Sequence, residues 1–271
     1  MPTIINGQES IPKDFGIEVA SGRVPGYKKV NKFGETENAD SGVATDVWEG
    51  STTQAIWVPP TAARIHGVVS SSVIDSDVGG VVAQGAGLRT VRIWGLKTWN
   101  SPESSEDVVL DGTTSVNTAN AYVIIHRVTG LTWGANGVNT GTISLTAATD
   151  GTLTAQIAPG QNQTQMLIYG IPSGERLEIK RLQAEIVKAT GTTQRGDGEL
   201  LMMTDPENGV ADNTAWTNKE NFLVVEAQAP WVHAYDPPKS CDGPCILKIQ
   251  VTTNTNDSKV IAAMDAYLVN I

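Results

Sequence analysis

The sequence predicts an all-β protein made of two β-sandwich or jelly-roll-like units that follow an extended N-terminal arm. Three observations support this prediction: charged residues make up only 18% of the 271 residues, glycine occurs 27 times, and short runs alternate between apolar and polar side chains. Alternation with a period of two is typical of strands with one face in a core and the other in solvent. Frequent glycine supplies the turns that join such strands.

The clearest strand pattern lies just past the middle of the chain. Apolar and polar residues alternate from Thr142 to Ala147 and again from Thr152 to Ile157. The pair Asp150-Gly151 between these runs suits a tight hairpin turn, because glycine tolerates positive φ and aspartate can bond its own backbone. The polar turn from Pro159 to Gln165 follows, and we expect it to join the two β units.

Composition divides the chain into three parts. Residues 1–50 hold many glycines and three prolines without a sustained apolar period, so they are expected to be an extended arm that orders against the same subunit or a neighbour. Residues 51–159 and 160–271 each hold enough strand-like runs for a sandwich. Residues 177–187 fit helical spacing almost as well as a strand, and we expect a strand with a bulge near Arg181.

The charge and the cysteine content exclude several classes of partner. A net charge of −10, without a dense basic cluster, argues against nucleic acid. No apolar run approaches the ~20 residues needed to span a bilayer, and the N-terminal residues lack a signal-peptide pattern, so we expect synthesis in the cytoplasm and no membrane partner. The two cysteines, Cys241 and Cys245, fit a reducing compartment and are expected to be free thiols, with a strained local disulfide as the alternative.

No catalytic or nucleotide-binding motif occurs in the chain, so we expect no enzyme, no cofactor and no catalytic residue. The three histidines, His66, His126 and His233, lie far apart in sequence and are expected to be hydrogen-bonded structural residues, not zinc ligands. Asp75 and Asp77 resemble the start of a calcium loop whose later bidentate glutamate is missing. We therefore expect no metal site.

One carboxylate cluster leaves an enzymatic alternative open. Glu103, Glu106 and Asp107 are the residue types that a glycan-cleaving enzyme needs, but only their separation in space could make them catalytic. The simpler interpretation is a charged, solvated strand edge that discourages pairing with other chains.

Tryptophan is unusually frequent, with seven copies against three phenylalanines. Exposed tryptophans stack on sugar rings or anchor protein interfaces, and buried ones close the open ends of sandwiches. The aromatic residues that we expect at an interface are Tyr27, Trp48, Trp57, Trp99 and Trp133.

Six stretches carry a resemblance to known proteins: VWEG (47–50), WVPPTAARIHGVVSSS (57–72), RTVRIWGL (89–96), SEDVVLDGTT (105–114), NAYVIIHRV (120–128) and DGTLTAQIAPGQNQTQMLIYGIPSGERLEIKR (150–181). They resemble virion structural proteins of tailed bacteriophages, especially marine ones. It implies a non-enzymatic component of the virion, assembled in the host cytoplasm, and supplies no catalytic residue.

Within that class, we expect a capsid decoration or cement protein on the surface of the head. Its partners would be the major capsid protein and further copies of itself, with a trimer favoured. The alternatives are a tail or fibre adaptor of the virion and a carbohydrate-binding module for host surface glycans.

Overall fold

A computed structural model describes residues 14–77, 85–187, 194–207, 215–226 and 228–271, together with the backbone of two short strands before residue 14. Nearly all regular structure is β, as predicted. The helices are α1 (Phe15–Ala20) and one 3-10 helix (Glu49–Thr52). The strands are β1 (Thr3–Ile5), β2 (Gln8–Ser10), β3 (Tyr27–Ala39), β4 (Ala44–Asp46), β5 (His66–Ser70), β6 (Leu88–Leu96), β7 (Ser104–Val109), β8 (Val116–Asn117), β9 (Ile124–Trp133), β10 (Ile143–Ala147), β11 (Leu153–Ile157), β12 (Ile168–Ile171), β13 (Glu175–Val187), β14 (Arg195–Met203), β15 (Trp216–Val225), β16 (Trp231–Asp242), β17 (Cys245–Thr253) and β18 (Ser258–Asn270).

Two sheets enclose the first hydrophobic core. The outer sheet has the strand order β16-β13-β18-β3, and the central sheet has the order β12-β17-β14-β15 with β4 paired to β17. Alternate residues of the outer sheet, such as Leu177 and Ala266, are buried in this core. The opposite face of the outer sheet carries surface ion pairs such as Arg181–Asp265, which is typical of an antiparallel sheet with one solvated face.

The second core lies between the sheet β11-β10-β5-β8, the sheet β7-β6-β9 and the other face of the central sheet. On β12, Tyr169 faces the first core and Ile168 the second. On β17, Leu247 and Ile246 divide in the same way. The central sheet is therefore covered on both faces, and residues of the C-terminal half help to fill the core of the N-terminal half.

The predicted bulge in β13 is confirmed. Its pairing with both β16 and β18 changes register between Ile179 and Arg181. This shift brings a set of apolar side chains onto one buried face: Leu177, Ile179, Leu182, Ala184 and Ile186. The hairpin between β10 and β11 also forms at Asp150-Gly151, where Gly151 has φ 68°.

The end of the predicted arm is built differently from the expectation. Residues 27–39 form the 13-residue strand β3, which pairs along β18 of the same chain, and residues 44–46 form β4 beside β17. Strand β3 lacks apolar alternation because its buried positions include Lys32, Gly34 and Thr36. The side chains of residues 1–13 lie outside the described part of the chain.

Two local patterns differ from the structure. Residues 55–58 form no strand, although apolar residues occupy all four positions. Strand β16 contains Pro237 and Pro238, which an edge strand tolerates. The turn 158–165 carries no strand, and the strands on either side of it, β11 and β12, belong to different sheets. The division into units at residues 159 and 160 stays a prediction.

Candidate functional sites

Three of the five residues expected at an interface are buried within the chain. Trp48 and Trp57 are 0% exposed and Trp99 is 4% exposed, so none of them offers a surface to a partner. The second core covers the large indole rings, and backbone oxygens accept two of their N–H groups. Trp48 Nε1 donates to Gln54 O at 3.2 Å, and Trp57 Nε1 donates to Thr154 O at 2.9 Å. These tryptophans are structural, because the second core needs large apolar side chains.

The other two, Tyr27 and Trp133, lie at the surface. Trp133 is 40% exposed, and its Nε1 donates to Asn162 Oδ1 at 3.0 Å. Tyr27 is partly buried and packs edge to face against Phe15, with ring centroids 5.4 Å apart. Phe15 makes a second edge-to-face contact with Tyr267, at 5.6 Å.

Phe15, Tyr27 and Tyr267 form an apolar area that, together with the exposed Ile17 on the same helix as Phe15, we call the N-terminal patch. Helix α1 begins after Asp14, whose Oδ1 accepts a hydrogen bond from Ile17 N at 3.1 Å. The helix buries only Val19, while Phe15 is 51% and Ile17 62% exposed. Exposed apolar side chains that cluster in this way mark interaction sites more often than isolated ones do.

A small pocket of about 80 Å³ lies where β3, β9 and β12 meet the residues before β7. We call it the basic pocket. Its lining residues are Lys29, Val30, Asn31, Lys32, Glu103, His126, Arg127 and Tyr169. Lys32 is almost fully buried, and its ammonium group donates to the backbone oxygen of His126. His126 Nε2 lies 3.1 Å from Glu103 Oε1, and the His126 ring packs at 4.6 Å from that of Tyr169.

Burial and charge change the protonation of the basic pocket. Desolvation, helped by the positive charge of Arg127, lowers the pKa of Lys32 to about 7. Desolvation also lowers the pKa of His126. Burial alone would raise the pKa of Glu103, but the hydrogen bond and charge of His126, together with Lys28 and Lys32, lower it.

A larger cleft of about 310 Å³ opens beside the turn 158–165. It is lined by three glutamates with threonine, glutamine, alanine and proline: Glu35, Glu37, Glu49, Thr52, Thr142, Gln156, Ala158, Pro159 and Gln161. Lys259 Nζ lies 2.7 Å from Glu35 and 3.3 Å from Glu37, so two of the carboxylates share one cation. Burial, with smaller contributions from Glu35 and Glu37, raises the pKa of Glu49 to about 7.

A row of aromatic side chains connects the edge strands β15 and β16. Trp231 stacks on Phe222 at 4.4 Å, and His233 stacks on Tyr235 at 4.3 Å. Glu220 accepts hydrogen bonds from Tyr235 and Lys239, and its Oε1 lies 2.6 Å from His233 Nδ1. Trp231 is partly exposed and His233 is exposed, so the row also offers ring surface to solvent.

The three histidines occupy separate environments. His66 is buried, and desolvation lowers its pKa to about 4. His126 and His233 lie beside different glutamates, as described above. Among the described residues, no group of three or more histidine, cysteine, aspartate or glutamate side chains could hold a metal ion. Cys241 and Cys245 are buried free thiols whose pKa values are raised, mainly by desolvation.

The Asp75 carboxylate holds neighbouring segments of the chain together by hydrogen bonds, and it does not begin a calcium-binding loop. Its carboxylate is fully buried and accepts hydrogen bonds from Ser70 Oγ at 2.7 Å, Leu88 N at 2.9 Å, Thr140 N at 2.9 Å and Gly141 N at 2.7 Å. These donors use the oxygens that a cation would need. Residues 78–84 of the same loop lie outside the described residues.

The predicted carboxylate cluster is divided among three separate contacts. Glu103 faces the basic pocket, Glu106 Oε2 accepts from Asn120 Nδ2 at 2.7 Å, and Asp107 Oδ1 pairs with Arg92 Nε at 2.6 Å. Sequence reasoning missed the basic pocket because its residues come from distant positions. The only signal was a run of lysines, at 28, 29 and 32, in a segment read as an arm.

Comparison with known proteins gives no family for this chain, since no family model and no curated protein sequence matches it. None of the helices in the described ranges is both long and apolar enough to cross a membrane.

Proposed function

We propose that the chain is a non-enzymatic structural protein of a tailed-phage virion, of the capsid decoration type, attached to the head surface as a homo-oligomer with a trimer favoured. The sequence resemblance supports the class of protein. The observation that carries an attachment role is the N-terminal patch, where Phe15 is 51% exposed beside two tyrosines and Ile17, on the same helix, is 62% exposed. Apolar groups left in water gain free energy when a partner covers them.

The fold supports the same proposal. We propose that the two cores are those of two β-sandwich units, jelly-roll-like in arrangement, which share the central sheet. A buried, cross-connected framework of this kind holds a surface patch in a fixed position, and repetition of the subunit over a particle multiplies weak single contacts. The proposed partner of the N-terminal patch is the major capsid protein.

The experiment is reconstitution of particles that lack this protein with the purified chain, followed by sedimentation and gel densitometry. The double variant Phe15→Ser/Ile17→Ser should lose most of its binding to particles. The control Val109→Ser, which changes an apolar residue that is 45% exposed on β7, should bind like the wild type. Full binding of the double variant would contradict the proposal.

A tail or fibre adaptor is the competing role within the same class, and copy number separates the two. A decoration protein covers the head lattice, so its band should scale with that of the major capsid protein. An adaptor ring should give a far weaker band in intact virions.

The row of aromatic residues on β15 and β16 favours a second candidate, a glycan-binding module. Rings at a surface beside glutamate, histidine and lysine side chains can stack on a sugar and bond its hydroxyls. Titration of the chain with host surface polysaccharide should then quench tryptophan fluorescence, and Trp231→Ala should abolish the quenching. An unchanged spectrum at saturating polysaccharide would exclude this candidate.

A further inference from the structure

Basic residues outnumber acidic residues in the lining of the basic pocket, which is the opposite of the chain as a whole. The chain has 29 acidic residues against 19 basic ones. Even so, three cations line this pocket, Lys29, Lys32 and Arg127, and within the described ranges none has a carboxylate at ion-pair distance. The buried ammonium of Lys32 donates to a backbone oxygen, and Arg127 Nη2 lies 3.4 Å from Asn31 O.

The acidic residue that lines the pocket, Glu103, offsets this imbalance only in part, because burial and the charge of Arg127 lower the pKa of Lys32 more than the charge of Glu103 raises it. Glu103 is engaged by His126 Nε2 at 3.1 Å. Glu175 on β13 is paired with Lys28 of β3, with Lys28 Nζ 3.4 Å from Glu175 Oε1, and is not a lining residue of the pocket. Tyr169 closes the pocket from β12 and is an uncharged phenol at neutral pH; desolvation and the nearby Glu103 and Glu175 raise its pKa further. A buried cation without a countercharge is costly, and a bound anion removes that cost.

We propose that the basic pocket binds one carboxylate group, held between the Lys32 ammonium and the Arg127 guanidinium. The volume of about 80 Å³ exceeds the ~30 Å³ share of one water molecule, so the pocket has room for a carboxylate group. Lysine and arginine form short, charge-assisted hydrogen bonds with carboxylate oxygens. The inference does not depend on the proposed virion role.

The pocket also makes binding depend on pH. The Lys32 amine must be protonated to pair with the carboxylate, and its pKa of about 7 in the free chain means that this proton is lost just above neutrality. A carboxylate should therefore bind more tightly at pH 6 than at pH 8.5, by roughly tenfold or more, with uptake of a proton near the upper end of this range. The titratable and charged groups that line the pocket around Lys32 are Lys29, Glu103, His126, Arg127 and Tyr169.

The test uses the purified full chain and acetate as the probe, with chloride at equal ionic strength as the reference. Isothermal titration calorimetry at pH 6 should show acetate binding to the wild type. Lys32→Gln, which keeps a hydrogen-bond donor for the His126 oxygen, should weaken acetate binding by about tenfold or more. Lys180→Gln removes an exposed lysine outside the pocket and should leave the affinity unchanged.

A second measurement separates two sources of the carboxylate. Sedimentation velocity in acetate and in chloride shows whether acetate changes the oligomeric state. An unchanged mass with acetate bound indicates a free anion as the ligand. Dissociation of oligomers by acetate, reproduced by Lys32→Gln in chloride, indicates a side chain of a second copy.

Two results would overturn the proposal. One is the absence of acetate binding to the wild type at pH 6 together with an unchanged oligomeric state. The other is equal acetate affinity in the wild type and in a folded Lys32→Gln variant, with folding checked by the midpoint of urea unfolding.

Discussion

Lys248 on β17 and Asp46 on β4 form an ion pair that is cut off from solvent, with Nζ 2.7 Å from Oδ2 and side-chain exposures of 1% and 0%. Asp46 also accepts hydrogen bonds from Trp57 N at 2.7 Å and Gln250 Nε2 at 2.9 Å. The Lys248 ammonium lies 4.3 Å from the centre of the Trp216 ring. Through Asp46, the ion pair therefore links β17 of the central sheet to Trp57, which is buried in the second core.

Removal of one partner should destabilise the protein strongly. Lys248→Met leaves the Asp46 carboxylate buried without its countercharge, and we expect a loss of about 3–5 kcal/mol in the free energy of unfolding. The double variant Lys248→Met/Asp46→Leu should recover much of this loss, because no unpaired charge remains. Urea unfolding measures both, and Arg92→Met, which breaks the exposed pair with Asp107, should change little. A double variant less stable than Lys248→Met would contradict this account.

Lys32 should make stability rise with pH. Its folded pKa of about 7 lies below the ordinary value of 10.5, so between these values the unfolded chain binds more protons than the folded chain. The free energy of unfolding should therefore increase from about pH 7 to about pH 10.5, and the folded state pays a penalty below pH 7.

Lys32→Met isolates this contribution when its stability is compared with that of the wild type at each pH in chloride buffer. The variant should be more stable at pH 6, and the difference should shrink as pH rises. Lys180→Met should follow the wild type throughout. Parallel curves for Lys32→Met and the wild type would show that Lys32 is not deprotonated in the folded chain.

Glu49 should make the free energy of unfolding fall as pH rises, which is opposite to the effect of Lys32. Its pKa is raised to about 7, chiefly by burial, so between pH 4.5 and 7 the folded chain binds more protons than the unfolded chain. Stability from this group is complete below pH 4.5 and is lost as pH rises through about 7. Glu49→Gln stays uncharged and should gain stability relative to the wild type over this range, measured by thermal unfolding. Glu185→Gln, at an exposed position, should show no such gain.

Asn139 and Asn162 pin two loops together by reciprocal hydrogen bonds. Asn139 N donates to Asn162 Oδ1 at 3.0 Å, and Asn162 N donates to Asn139 Oδ1 at 2.9 Å. Asn162 also has φ 60°, a conformation that asparagine and glycine tolerate better than alanine.

Two substitutions at position 162 separate the side chain from the backbone. Asn162→Gly loses only the hydrogen bonds, and Asn162→Ala also gains backbone strain. Both should be less stable than the wild type, and the alanine variant should be lower than the glycine variant by about 1 kcal/mol. Equal stabilities in urea would mean that the positive φ costs nothing at this turn.

The sequence predicted those parts of the fold in which local pattern and burial agree. Leu177 to Ile186 form one buried face because the bulge at Arg181 restores the alternation, and the residue order favours this strand only narrowly over a helix. Strand β3 was not readable, because long-range pairing with β18 holds a segment whose buried positions include Lys32. The basic pocket combines that segment with residues about 70 to 140 positions away, so no local motif could reveal it.

Local sequence pattern also fails to predict whether an individual aromatic side chain is buried or exposed. Trp57 and Trp133 are both expected at an interface from the sequence, yet one is fully buried and the other 40% exposed. Trp57→Ala should cost about 3–5 kcal/mol in the free energy of unfolding, because it leaves a large cavity in the second core and an unpaired oxygen at Thr154. Trp133→Ala should cost much less, since it mainly removes a hydrogen bond to Asn162. Urea unfolding of both variants tests this order, and sedimentation of folded Trp133→Ala tests whether Trp133 also contributes to self-association. A small loss for Trp57→Ala would mean that this ring does not support the core.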